Sequence, residues 1–225
     1  MSPPLTVDFV YDCETDARDA LTAIVRRFET DDTAKIVSRR DSDNKPTPSR
    51  MSVSIPCGDT GTTWSFIPYP SDIRARPSTV GEYPCIEVEM SGSAFDLWDE
   101  SARQTVVDTI SELYQAGPVR PRYVYAVDEG HAEIIREDGP ASVPVASETF
   151  ENDCIAAVSW LMLFPPTLVA AYGRDFLLDA PAWRTEELPD GAILIVACSD
   201  PTDVADLDES SRDLKAYFGT EYPRL

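Results

Sequence analysis

The sequence predicts an α+β protein with a mixed or mainly antiparallel sheet and helices packed chiefly on one face. Three observations carry that prediction. Apolar residues recur with a period of two in short stretches such as "TVDFVYDC" and "CIEVEM". A few longer stretches have the three- and four-residue spacing of helices. Turn-forming clusters such as "CGDTG", "DEG" and "PDG" join consecutive strand-like stretches as hairpins.

Val7, Phe9 and Tyr11 alternate with Asp8 and Val10, which predicts a half-buried first strand. A helix is expected to follow, with Thr15 as N-cap and Asp16 in its first turn, because Ala17, Ala20, Leu21, Ile24 and Phe28 share one face. "AKIVSR" predicts a second strand, and Asp41 to Arg50, rich in Pro, Asp and Asn, a surface loop. "MSVSIP" and "TTWSFI" alternate apolar with hydroxyl residues and predict an antiparallel pair around "CGDTG", followed by a Pro-rich connection from Pro68 to Pro84. "CIEVEM" sets Ile86, Val88 and Met90 on one face and Glu87 and Glu89 on the other.

A long helix is predicted from Ser93 to Gly117, burying Phe95, Trp98, Ala102, Val106, Ile110 and Leu113. "RYVYAVDEGHAEIIRE" reads as a hairpin turning at Asp128, Glu129 and Gly130. Strand, helix, strand, strand thus occurs near residues 6 to 56 and again near 84 to 137, which suggests two βαββ halves sharing one sheet. The expected organisation is a single α+β domain over 1–225, with halves 1–80 and 81–140. A C-terminal helix–hairpin–helix extension, 141–225, is helical from Ser147 and ends in a helix over Val204 to Phe218 stopped by Gly219.

Composition bounds the solvent and the partners. The formal charge is −21, with 40 acidic residues against 19 basic ones, and only three of the cations are lysines: Lys35, Lys45 and Lys215. Aspartate is the commoner acid, and no acidic block forms a tail. This resembles the surface of a protein from a salt-in halophile: at about 1 M salt the Debye length is roughly 3 Å, so self-repulsion is screened while the carboxylates stay hydrated. No nucleic-acid partner is expected, since the arginines form isolated pairs such as Arg39 and Arg40 rather than a basic stripe. Five cysteines without C-x-x-C spacing suit reduced thiols and a cytoplasmic location, and the N-terminus shows no secretion signal.

"CIAAVSWLMLFPPTLVAAYG", Cys154 to Gly173, carries no charge and is long enough to span a bilayer. Pro165 and Pro166 interrupt it, which predicts a buried helix, a break and a second short helix, with no membrane contact. Beyond it, Pro189, Asp190 and Gly191 pre-set a turn, and "AILIVAC" predicts a strand buried on both faces. Trp183, Glu186 and Glu187 fall on the preceding strand, expected at a sheet edge.

The segment from "RYVYA" through "AVSWLMLFPPTLVAAYGRDFLLDAPAWRTEELPDGAILIV" resembles the C-terminal half of small α+β immunity proteins that neutralise polymorphic toxins. Over roughly residues 120–198 the residues carrying the likeness are Trp160, Tyr172, Gly173, Arg174, Leu178, Pro181, Ala182, Trp183, Glu187, Asp190 and Gly191. Ala192 stands where the family pattern has a second glycine. The resemblance implies a stoichiometric binding protein that masks a protein partner such as a toxin, with no catalytic residue and no cofactor. Its contact residues would be Tyr172, Arg174, Trp183, Glu186 and Glu187, within an exposed acidic and aromatic patch that sequence alone does not locate.

Other motifs have ordinary readings. Asp59-Thr60-Gly61 matches the aspartic-protease tripeptide, but that chemistry needs two carboxylates sharing a proton and a single copy reads as a turn. His131 is the only histidine, so His-rich metal sites are excluded, and its place after a hairpin turn suits a solvated side chain. Two alternatives to a binding protein stay open. One is a metal-assisted hydrolase using Glu87, Glu89 and Asp8 on adjacent strands, since oxygen ligands on one strand face suit a hard cation. The other is a structural or oligomeric component with the charge-free 154–173 segment as its interface.

Overall fold

In the computed structural model the described residues are 5–30, 35–40, 50–57, 60–69, 83–90, 100–117, 119–128 and 158–218. Nine described strands form one antiparallel sheet: β1 Leu5–Val10, β2 Lys35–Arg40, β3 Arg50–Cys57, β4 Thr60–Tyr69, β5 Cys85–Met90, β6 Tyr123–Asp128, β7 Leu161–Phe164, β8 Arg184–Glu187 and β9 Ile193–Val196. Their order is β2-β3-β4-β5-β1-β6-β7-β9-β8. Five described helices accompany them: α1 Ala17–Glu29, α2 Glu100–Ala116, α3 Pro166–Tyr172, α4 Arg174–Leu178 and α5 Val204–Phe218. The class is α+β, and none of the described helices is long and apolar enough to cross a membrane.

Because every neighbouring pair is antiparallel, strands two or four places apart run the same way. The chain joins three such pairs through helices: β1 to β2 by α1, β5 to β6 by α2, and β7 to β8 by α3 and α4. The first crossover passes over three strands and the second over β1 alone, so the two strand–helix–strand units have unequal reach within one sheet.

Strand alternation sorts the apolar residues into two cores. Leu5, Val7 and Phe9 of β1, Val124 and Ala126 of β6, and Leu194 and Val196 of β9 join Ile24 and Phe28 of α1 and Val106 and Ile110 of α2. Val10, Tyr123, Tyr125, Met162, Phe164, Ile193 and Ile195 face the other way, onto Leu168 of α3 and Leu177 of α4. The two crossover helices α1 and α2 thus cover one face, and α3 with α4 covers the β7–β9–β8 end of the other. Leu207 joins the first core and Leu214 the second, so α5 contributes to both.

Several expectations change in detail. Strand β1 is buried along its whole length rather than on one face, because it lies at the centre of the sheet between β5 and β6. The N-cap of α1 is Asp16, which accepts from the Arg18 amide at 2.8 Å, and not Thr15. Pro68 belongs to β4, opposite Ile86 of β5; the pairing with β3 has ended at Phe66, so its missing N–H costs no bond on that side.

The larger correction concerns the charge-free segment. Leu161–Phe164 is a strand, paired on one side with β6 and on the other with β9, and not a helix. All four residues are buried, and a strand packed on both faces has the same continuous apolar run as a buried helix. The break at the prolines and the short helix after it are both present: Pro165 is extended at the N-cap of α3 and Pro166 opens the helix.

The hairpin β8–β9 turns at Pro189, Asp190 and Gly191 as expected, with β9 wholly buried and β8 at the sheet edge. The final helix spans Val204–Phe218 as the spacing predicts, with the Asp203 carboxylate accepting from the Ala205 and Asp206 amides. The expected 41–49 loop, the start of α2 from Ser93, the tripeptide residue Asp59, the far arm of the 123–137 hairpin with His131, and residues 147–157 lie outside the described residues.

Candidate functional site

Two surfaces gather the chemistry-bearing residues, and both are set by the alternation of strands. On the first, even-numbered residues of β1 and odd-numbered residues of β5 point to the face opposite α1 and α2. The register runs Ile67, Glu87, Asp8, Tyr125 and Met162 across β4, β5, β1, β6 and β7, and a second row runs Ser52, Ser65, Glu89 and Thr6. Asp8 and Glu87 are buried, at 4% and 6% exposure. The Tyr125 hydroxyl donates to Asp8 Oδ2 at 2.7 Å and the Tyr69 hydroxyl to Glu87 Oε1 at 3.3 Å.

The sheet therefore brings Asp8, Glu87 and Glu89 onto one face of adjacent strands, as the spacing predicts. That face is not the wet surface such a glutamate pair usually marks, because Glu87 is buried. Among the described residues no three His, Cys, Asp or Glu side chains converge in a way that could hold a metal ion. What the row does is hold carboxylates through tyrosine hydroxyls in the middle of the sheet.

The second surface lies at the other end, around α3, α4 and α5. Gly173, at φ +95°, both ends α3 and starts α4, a left-handed conformation that glycine adopts without strain and that separates the two short helices. Arg174 follows and grips Glu187 of β8, with Nη2 2.5 Å and Nε 3.0 Å from Oε2, and reaches Asp175 at 3.1 Å. The guanidinium holds the Glu187 carboxyl below its usual value, and the carboxylate in turn raises Arg174. Thr185 of β8 ties the same side down by donating to the Leu178 carbonyl.

Two residues on from Arg174, Phe176 stacks on Tyr217 of α5 with ring centroids 4.8 Å apart and planes at 16°. The Tyr217 hydroxyl donates to the Phe176 carbonyl at 2.8 Å, and Phe218 leans on Phe176 at 6.0 Å. Phe176 is one of the few large apolar side chains exposed among the described residues. Tyr172, Leu178, Tyr217 and Phe218 are half-buried around the second core. Asp175, largely exposed beside Phe176 and paired with Arg174, and Asp179, exposed at the C-cap of α4, give the cluster an acidic rim.

The residues selected from sequence divide between sides. Glu187 and Arg174 meet, on the α4 side, and Tyr172 packs nearby against the second core. Glu186 points the other way, pairing with Arg184, which also bonds Asp108 of α2 at 2.9 Å. Neighbours on a strand must face opposite sides, so Glu186 and Glu187 cannot act as a pair. Trp183 packs half-buried against the first core, with its amide bonded to the Ala197 carbonyl. Sequence reasoning did not reach Phe176, Tyr217, Tyr125 or Tyr69, whose partners are 41, 41, 117 and 18 residues away and leave no local spacing to read.

No family model, no curated protein and no solved structure matches this chain.

Proposed function

We propose that this chain is a non-enzymatic binding protein that masks a protein partner through the surface formed by α3, α4 and α5. The observation that carries the reading is the Phe176–Tyr217 stack, held at 4.8 Å and left at the surface with Phe218 beside it. Rigid aromatic side chains with few rotatable bonds are what protein interfaces use as anchors, and a contiguous aromatic cluster on a surface marks a contact site more often than a scattered one. The likeness of residues 120–198 to immunity proteins covers α3, α4 and the β8–β9 hairpin, and supports stoichiometric masking of a protein such as a toxin.

The setting we infer is a salt-rich cytoplasm. The charge of −21 with three lysines favours hydration at molar salt, and Cys85 and Cys198 are buried as free thiols, which suits a reducing compartment.

The test is a tagged pull-down from the native extract in molar KCl, with wild type beside Phe176→Ala. One dominant protein at near-equal stoichiometry, lost in Phe176→Ala at an unchanged denaturation midpoint, is the expected result. Capture of nothing, or capture indifferent to Phe176, would end the reading.

A further inference from the structure

We infer that the partner of this surface is a basic protein segment presenting an apolar side chain between lysines or arginines. The inference rests on the binding role proposed above and adds the partner's chemistry to it. The centre of the patch is aromatic: Phe176 and Tyr217 stacked, Phe218 against both. Its surroundings are anionic. Asp175 adjoins Phe176 with its side chain 89% exposed, and Asp179, also exposed, caps the end of α4 three residues beyond Phe176. Asp213, exposed, stands one turn before Tyr217 on α5.

Among the described residues, the cations near the patch do not offset the other carboxylates. Arg174 is held by Glu187 at 2.5 Å and already offsets Asp175 at 3.1 Å, which leaves Asp179 and Asp213 as the carboxylates outside that pair. Lys215 is two residues from Tyr217 on α5, which at about 100° per residue places it roughly on the opposite side of the helix. An acidic or purely apolar partner would have to strip water from these carboxylates without pairing them, which costs free energy. A basic segment would pair them at contact distance, while its apolar side chain covered the ring of Phe176. Contact pairs survive molar salt better than long-range attraction does, because the screening length there, about 3 Å, is comparable with the pair distance itself. The general negative charge of the protein, spread over its whole surface, would attract any cation equally; the aromatic centre is what makes this place selective.

The probes are two amphipathic helical peptides of one pattern, one of leucine and lysine and one of leucine and glutamate, titrated into the full chain by fluorescence anisotropy in 0.2 and then about 2 M KCl, a range over which diffuse attraction collapses. The leucine–lysine peptide is expected to bind in both salts, to weaken at least about tenfold with Phe176→Ala in high salt, and to show a shallower salt dependence with Asp179→Asn combined with Asp213→Asn. Equal binding of both peptides, or leucine–lysine binding unchanged by Phe176→Ala, overturns the inference. A native partner that depends on Phe176 but is not displaced by the leucine–lysine peptide would overturn this inference while leaving the binding role intact.

Discussion

Asp8 and Glu87 stand directly opposite each other on the two central strands β1 and β5, both buried, and each accepts a hydrogen bond from a tyrosine. Like charges at directly opposed positions destabilise a sheet, and buried charge is tolerated only where donors meet it. The tyrosines come from β6 and β4, one strand further out on each side. The row Tyr69, Glu87, Asp8, Tyr125 thus reaches over four neighbouring strands, with each carboxylate held from outside by a hydroxyl.

Tyr125→Phe removes the 2.7 Å donor from Asp8 while keeping the ring in the second core. The expected loss is about 0.5–3 kcal/mol, the range for hydrogen bonds to neutral through charged groups. Urea denaturation of the variant in molar KCl checks it. Tyr69→Phe, whose bond is longer at 3.3 Å and part-exposed, should cost less than Tyr125→Phe.

Arg120 joins the end of α2 to the β8–β9 turn. Its guanidinium donates to the Gln115 carbonyl at 3.0 Å and the Gly117 carbonyl at 2.5 Å, bonds Asp190 at 3.2 Å and lies 5.7 Å from the centre of the Tyr114 ring. Helix α2 has no basic residue in its own last turn, so Arg120 supplies the charge that its C-terminal carbonyls favour. Arg120→Ala is expected to lower stability by about 1–2 kcal/mol, and a double-mutant cycle with Asp190→Ala to leave a coupling of about 0.5 kcal/mol. Additive single effects would show that the turn and the helix end are not linked through this pair.

The elements that were legible in the sequence are those whose period belongs to one structure alone. Alternation in "CIEVEM" and the three- and four-residue steps of Ala17 to Phe28 gave β5 and α1, and Pro189-Asp190-Gly191 gave the hairpin. Leu161–Phe164 was read as helix because a strand packed on both faces has no alternation to show; its length of four residues before two prolines was the remaining clue. The site was legible only in its acidic half. Asp8, Glu87 and Glu89 stand on strands that the pattern predicts, but their adjacency needs the sheet order, and Tyr125 and Tyr69 enter only through the register. Phe176 lies in a single helical turn, and its stacking on Tyr217 depends on how α4 and α5 pack.

Cys198 should be chemically silent in the folded protein. Burial, then the charge of Asp206, pushes its thiol from 9.0 up to about 12, so at pH 8 the reactive thiolate is almost absent. Alkylation mapped by mass spectrometry is expected to label exposed Cys13 first and to reach Cys198 only on unfolding, a protection of roughly a thousandfold from the thiolate fraction alone. The stability consequence has a definite sign. An acid whose folded value is raised keeps its proton longer in the folded state, so its contribution is full below pH 9 and declines as pH rises toward 12. Cys198→Ser should therefore flatten part of the alkaline loss of stability between those values.

Gly191 closes the β8–β9 turn at φ +86°. Its amide donates to the Leu188 carbonyl at 2.9 Å, and the next residue pair, Leu188 and Ala192, is bonded at 2.7 Å, so the glycine sits last in a three-residue loop that needs a left-handed residue there. A methyl group added at Gly191 would meet no atom within 4 Å. Crowding is thus removed from the comparison, and the cost of Gly191→Ala is the backbone cost alone, about 1–2 kcal/mol. Asparagine tolerates the left-handed region better than alanine, so the midpoints should fall in the order Gly, Asn, Ala. The denaturant slope is expected to stay constant across the three, since the buried strand β9 and its register with β7 do not change. Equal midpoints for Asn and Ala would show that the turn relaxes to a different conformation, in which the Asp190 carboxylate no longer accepts from the Ala192 amide at 3.2 Å.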